Sequence, residues 1–233
     1  MLSMKRIISV AILGFVITIA GCGGGGGGGS SATPEDKVFQ LFPNGFFNAG
    51  YKETYSSLVG SDNVGGRLRG NWSIQTQNTV IIESEPVVPV SLLLEVTDTT
   101  TNEFFTSVQS DYYVYDDNNV YYLGIEDKTL GISYIASSIE AIPRTAKIGD
   151  FGTIGTYENN YDREIVAASW RLTSANNGLA NLVLSITYRD QYGNISCSEE
   201  QSFVIDEYGD RKSLSVRLYY ADGYTMTLSG KKT

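Results

Sequence analysis

From residue 51 onward, apolar and polar positions alternate with a period of two, and no stretch carries a helical stripe. In 164–173, Val166, Ala168, Trp170 and Leu172 share one face. In 179–189, Ala180, Leu182, Leu184, Ile186 and Tyr188 stand opposite Asn181, Ser185, Thr187 and Arg189. In 213–229, Leu214, Val216, Leu218 and Tyr220 precede a turn, and Tyr224, Met226 and Leu228 follow it. One apolar face with a polar one opposite is the signature of antiparallel sheet solvated on one side. Strands are also expected near 50–58, 67–76, 79–84, 90–97, 104–109, 111–116, 120–126 and 131–137, about twelve in all. So many strands must curl or split into two sheets. The expected fold is all-β: a single antiparallel meander forming a curved half-barrel or barrel, with a β-sandwich as the alternative.

Turn chemistry fixes part of the register. If Tyr220 opposes Tyr224 and Leu218 opposes Met226, the loop is Ala221-Asp222-Gly223, and Gly223 supplies the left-handed residue that ends a three-residue hairpin loop. A two-residue turn would mix the faces. Asp190-Gln191-Tyr192-Gly193-Asn194 and Asp206-Glu207-Tyr208-Gly209-Asp210 share one pattern and read as successive hairpin tips.

The strip from Tyr112 to Leu123 breaks the one-faced rule. Around Asp116-Asp117-Asn118-Asn119, one strand carries Tyr112, Tyr113, Val114 and Tyr115, and its partner carries Val120, Tyr121, Tyr122 and Leu123. Both faces are apolar or aromatic. One face can join the core; the other must meet a second layer, a ligand or a partner, because a bare patch of that size is a liability. Tyr112, Tyr113, Tyr115, Tyr121 and Tyr122 are therefore the candidate ligand- or partner-binding residues, set against aromatic pairing inside a barrel.

The amino terminus follows another pattern. Lys5 and Arg6 precede an apolar run from Ile7 to Ala20, and small residues lead to Cys22. The run is shorter than the ~20 residues that span a bilayer, and its parts are those of a secretory signal. Ile19-Ala20-Gly21-Cys22 resembles the lipobox of bacterial lipoproteins. That resemblance implies cleavage after residue 21, acylation of Cys22 and attachment to the outer side of a cytoplasmic membrane. With Gly23 rather than Asp after the cysteine, it implies the outer membrane, on its periplasmic or surface face. Seven glycines at 23–29, then Ser30 and Ser31, read as a flexible tether spanning on the order of 18 Å. The expected organisation is 1–21 signal peptide, 22–37 lipidated cysteine and tether, and 38–233 an all-β domain.

Composition narrows the chemistry. Loss of residues 1–21 removes two of the 17 basic residues and none of the 26 acidic ones, leaving a formal charge of −11. Such a surface repels phosphate backbones, so no nucleic-acid partner is expected. Histidine is absent, which removes imidazole-based nucleophile systems and His-containing zinc sites. Once Cys22 carries lipid, Cys197 has no intramolecular partner; it shares parity with Ile195, Phe203 and Ile205 and reads as an inward, inert thiol.

Asp116-Asp117-Asn118-Asn119 and Glu158-Asn159-Asn160-Tyr161-Asp162 offer oxygen ligands without the spacing of a calcium loop, and clustered Asp and Asn are ordinary turn formers. Glu83 with Glu85, or Glu199 with Glu200, are the carboxylate pairs a glycosidase would need. No catalytic residue, metal or cofactor is assigned from them. Leu41-Phe42-Pro43-Asn44-Gly45-Phe46-Phe47 reads as a plug docking the domain's amino terminus on the core. Pro143-Arg144-Thr145-Ala146-Lys147-Ile148-Gly149-Asp150 with Phe151-Gly152 loosely resembles the proline-to-glycine stretch of LolA/LolB-like half-barrels, which carry lipids or lipoproteins. The sequence thus describes a membrane-tethered, non-enzymatic lipoprotein that binds an apolar ligand, a glycan or an envelope protein. A structural or assembly lipoprotein acting by contact is the alternative, and a carboxylate-dependent hydrolase the third.

Overall fold

The computed structural model describes residues 37–233; the signal, Cys22 and glycine-rich calls lie outside the described residues. The strands are β1 (Val38–Gln40), β2 (Lys52–Asp62), β3 (Arg67–Thr76), β4 (Val80–Ile82), β5 (Glu85–Asp98), β6 (Glu103–Tyr115), β7 (Asn119–Asp127) and β8 (Ile132–Ile139). They continue with β9 (Ile142–Pro143), β10 (Thr145–Lys147), β11 (Phe151–Asn159), β12 (Ile165–Ser174), β13 (Ala180–Arg189), β14 (Ile195–Ile205), β15 (Arg211–Tyr220) and β16 (Thr225–Lys231). Twelve of them form an antiparallel up-and-down barrel: β2, β3, β5, β6, β7, β8, β11 and then β12 to β16, with β16 pairing back onto β2. The meander is therefore closed rather than half-open. It is also not a sandwich.

The expected 104–109 and 111–116 are one strand, β6. The strand runs through the gap expected at Ser110, and Asp111 is buried on its inward face. β11 was not expected at all. Gly152 and Gly155 interrupt its pattern, and a Cβ at Gly155 would stand 2.4 Å from the Ser138 carbonyl oxygen, so only glycine lets β8 approach. The last hairpin has the expected register, with Leu218 opposite Met226 and the Tyr220 N–H donating to the Tyr224 carbonyl at 2.9 Å. Gly223 closes it at φ 87°. Asp190 and Asp206 each accept two backbone N–H groups within their own hairpin tips.

Barrel width explains the tyrosines. Eight strands enclose a lumen that ordinary side chains just fill, and diameter grows with strand number. Twelve strands need long side chains, and Tyr55, Tyr113, Tyr122, Tyr157 and Tyr188 are fully buried with Trp72 and Phe203. Each buried hydroxyl requires a partner. Inward carboxylates supply several: Asp111 accepts from Tyr113 at 3.1 Å and Tyr122 at 3.2 Å, and Glu199 accepts from Tyr188 at 3.1 Å. Glu53 accepts from Tyr51 at 2.6 Å and Tyr55 at 3.2 Å. The same Glu53 meets Arg211 at 3.3 Å, an ion pair with both side chains fully buried, and Arg211 lies 4.2 Å from the centre of the Phe203 ring.

One end of the barrel is stoppered by the segment from 38 to 50. β1 pairs with β10, and Phe39, Leu41, Phe42, Phe46 and Phe47 are buried. Gly209 passes so close that a Cβ there would lie 2.6 Å from the Phe42 carbonyl oxygen. The plug expected from the Leu41–Phe47 aromatics is thus in place.

On β12 to β16 the outward rows are mostly polar, with Ser169 and Arg171, Ser185 and Thr187, Ser198 and Glu200, Ser215 and Arg217, Thr227 and Ser229, interrupted by Val183 and Tyr219. A membrane-spanning barrel shows the reverse, an apolar outer band. Among the described residues no helix is long and apolar enough to cross a membrane.

Candidate functional site: the outer face of strands β4 to β7

The hairpin of β6 and β7 divides its five candidate tyrosines by the pleat. Asp116 builds the tip, accepting the N–H groups of Asn118 at 2.7 Å and Asn119 at 2.8 Å. Those bonds hold its carboxyl below the usual aspartate range. A register shift between Tyr112 and Tyr113 then sets Tyr113 against Tyr122 and Val114 against Tyr121. Tyr113 and Tyr122 point into the lumen with ring centres 5.1 Å apart, and Tyr122 stands 5.1 Å from Tyr157. These two serve the core and cannot meet a partner while the barrel is folded.

Tyr112 and Tyr121 face outward with Val114 and Leu123, all half-buried. The Tyr112 hydroxyl donates to Glu126 at 2.9 Å; burial and that carboxylate push its pKa up to about 12. Tyr115 sits at the plugged end, 42% exposed, stacked on Phe47 with ring centres 4.5 Å apart and beneath the Arg144 guanidinium at 5.8 Å.

β4 extends this face beyond the barrel. Val80, Ile81 and Ile82 are 40%, 70% and 44% exposed, three apolar residues in a row. Among the described residues the strand pairs only with β5, through a two-residue turn, Glu83-Ser84, with φ of 52° and 74°. Both residues are left-handed, as a twisted two-residue hairpin requires, although neither is glycine. Ile81 lies opposite Pro86, so a short apolar edge stands open beside the tyrosine face.

The other candidate groups are placed differently. Glu199 is buried in the lumen, bonded to Tyr188 and to Gln201 at 2.7 Å, whereas Glu200 is on the outer surface at 3.0 Å from Arg171. The barrel wall separates them, so they cannot flank one bond. Glu83 and Glu85 are both exposed on the hairpin tip. Asn159 and Asp162 spend side-chain oxygens on the N–H groups of Tyr161 and Glu164. Among the described residues, no three His, Cys, Asp or Glu side chains are grouped to hold a metal ion.

Cys197 is fully buried; desolvation first, and Glu199 second, push its pKa up to about 12. The thiolate is the reactive form. A maleimide at pH 8 is therefore expected to label Cys197 only when denaturant unfolds the chain; stoichiometric labelling of folded protein would contradict this placement.

Two features were missed from sequence. The Glu53–Arg211 pair joins residues 158 apart. Its one local signal is that Glu53 shares strand parity with Tyr55. A cavity at the plugged end is assembled from four separated segments, and nothing local announces it.

No family model matches the chain, and no curated protein matches it. Among solved structures it is similar to a crystal structure from Parabacteroides distasonis ATCC 8503 described as a candidate lipoprotein, with a TM-score of 0.38 and 11% identity over 80% of this chain and 96% of that one. A likeness at that level fixes neither family nor function.

Proposed function

We propose that the chain is a lipoprotein of the cell envelope, anchored through Cys22, most simply in the outer membrane, whose barrel is a non-enzymatic binding domain for a protein partner. The reading of the anchor rests on Lys5, Arg6, the apolar run and Ile19-Ala20-Gly21-Cys22. One observation supports a protein partner. The outer wall is mostly Ser, Thr and charge on β12 to β16, with Val183 and Tyr219 among them, but Tyr112, Val114, Tyr121 and the open apolar edge of β4 on the opposite stretch. An open strand edge offers backbone hydrogen bonds that a protein segment can take up, and flanking aromatics add contact area. A glycan would use the tyrosines and leave the β4 edge idle.

A photo-crosslinking residue placed singly at positions 81, 112 and 121 of the full-length chain in its host tests this reading. One discrete adduct is expected from all three positions, and none from positions 202 or 217 on the polar wall. Tyr121→Ser should diminish the adduct formed from position 81. Equal adducts from both walls, or none from the first three positions, would refute the proposal.

A further inference from the structure

At the plugged end a cavity of about 440 Å³ is walled by Phe39, Ile148, Ala175 and Leu179, with Lys37 and Glu207 beside them. Its size lies within the ~300–1,000 Å³ of small-molecule sites. The walls come from the start of β1, the turn after β10, the loop between β12 and β13, and the tip between β14 and β15.

The polar groups are already engaged. The Lys37 ammonium pairs with Glu207 at 3.1 Å, donates to the Gly178 carbonyl at 3.3 Å and lies 5.3 Å from the centre of the Phe39 ring. With that charge matched, the cavity asks for uncharged hydrocarbon rather than an anion. Lys37 is also the first described residue, so the chain leading back to Cys22 starts in the cavity wall.

We infer that this cavity seats one acyl chain carried by the protein's own Cys22. The inference rests on the reading of Cys22 as the lipid-bearing residue. A Gly-rich coil of the fifteen steps from Cys22 to Lys37 spans on the order of 21 Å, and a link of that reach holds its cargo at roughly millimolar effective concentration. A bilayer lipid has no such advantage. Phe39, Ile148, Ala175 and Leu179 take a methylene seated against them out of part of the water that surrounds it in solution. The volume suits a single chain, so the remaining acyl groups stay available to the bilayer. The occupied cavity fixes the barrel with its plugged end towards the membrane and the face of β4 to β7 upright beside it.

The test uses the full-length chain from cells fed a photoactivatable fatty acid, irradiated in vesicles and after detergent removal. Mass spectrometry first reads acylation of Cys22 and then maps the cross-links. Intramolecular cross-links from the Cys22 acyl group to peptides bearing Phe39, Ile148 or Ala175 and Leu179 are expected. Most of that signal should be lost in Ala175→Trp, which fills the cavity, and in Leu179→Glu, which charges it; unchanged thermal unfolding certifies each variant. Cross-links confined to lipid or to residues 23–36, or unaffected by both variants, overturn the inference while leaving the anchor intact. A photoactivatable phospholipid labelling the same peptides as strongly overturns it in favour of a general lipid groove. Absence of acyl on Cys22 removes the occupant and the anchor reading together, and is seen before irradiation.

Discussion

Glu53→Leu is expected to destabilise the barrel by about 3–5 kcal/mol, the range for breaking a fully buried ion pair from one side. Arg211 is fully buried and cannot shed its proton, so the variant leaves a cation in the lumen beside the Phe203 ring. Tyr51, Tyr55 and Lys232 lose the same acceptor at once. The converse change should be milder. In Arg211→Leu the Glu53 carboxylate keeps Tyr51 at 2.6 Å, Tyr55 at 3.2 Å and the partly exposed Lys232 at 3.3 Å. The double variant, with hydrocarbon on both sides, should recover much of the loss seen in Glu53→Leu alone. Urea unfolding of the three variants measures the order. A Glu53→Leu cost below about 1 kcal/mol, the ordinary level for a point change, would mean that water reaches the pair.

The location of that pair shows why sequence yields some contacts and hides others. The last hairpin was legible because its parts lie within seventeen residues: apolar parity on both arms and Gly223 at the one left-handed position of the loop. Barrel closure was not legible. It depends on β16 meeting β2 over the register Met226 to Ser229 against Asp62 to Val59, set by elements at opposite ends of the chain. Gly60 belongs to that seam, where a Cβ would lie 1.9 Å from the Thr227 carbonyl oxygen, yet by itself it reads as any strand glycine. Local parity shows which residues share a face. It does not show which face closes on itself.

Asp111 shows what local pattern leaves out. A carboxylate amid strand residues ordinarily marks a turn or a solvated face, yet Asp111 is buried on the inward side of β6. The acceptor is inward because Tyr113 on the same strand and Tyr122 across the hairpin bring hydroxyls to it. A wide barrel lined with tyrosine thus makes a buried acid useful, an inference available only once the lumen is known to be wide. That the tyrosines form an aromatic strip with two faces was legible, but the split between core and surface waited on the register shift at Tyr112 and Tyr113.

That split makes adjacent residues of one strand respond differently. Tyr122→Ser should cost about 3–5 kcal/mol, as for loss of a large buried aromatic. It empties a space between Tyr113 and Tyr157, each with its ring centre 5.1 Å away, and removes one of the hydroxyls serving Asp111. Tyr121→Ser, one residue earlier, trims an outward half-buried ring and should cost less than about 1 kcal/mol while weakening the contact made by the face of β4 to β7. Denaturant midpoints and cross-linking yield, measured on the same two proteins, separate the roles. Were Tyr121→Ser as destabilising as Tyr122→Ser, the outer ring would belong to the fold's own packing, and the partner surface would have to be sought elsewhere on the barrel. If the costs differ as expected and only Tyr121→Ser lowers adduct formation at unchanged stability, the surface role of this strip and the core role of its neighbour follow from one pleat.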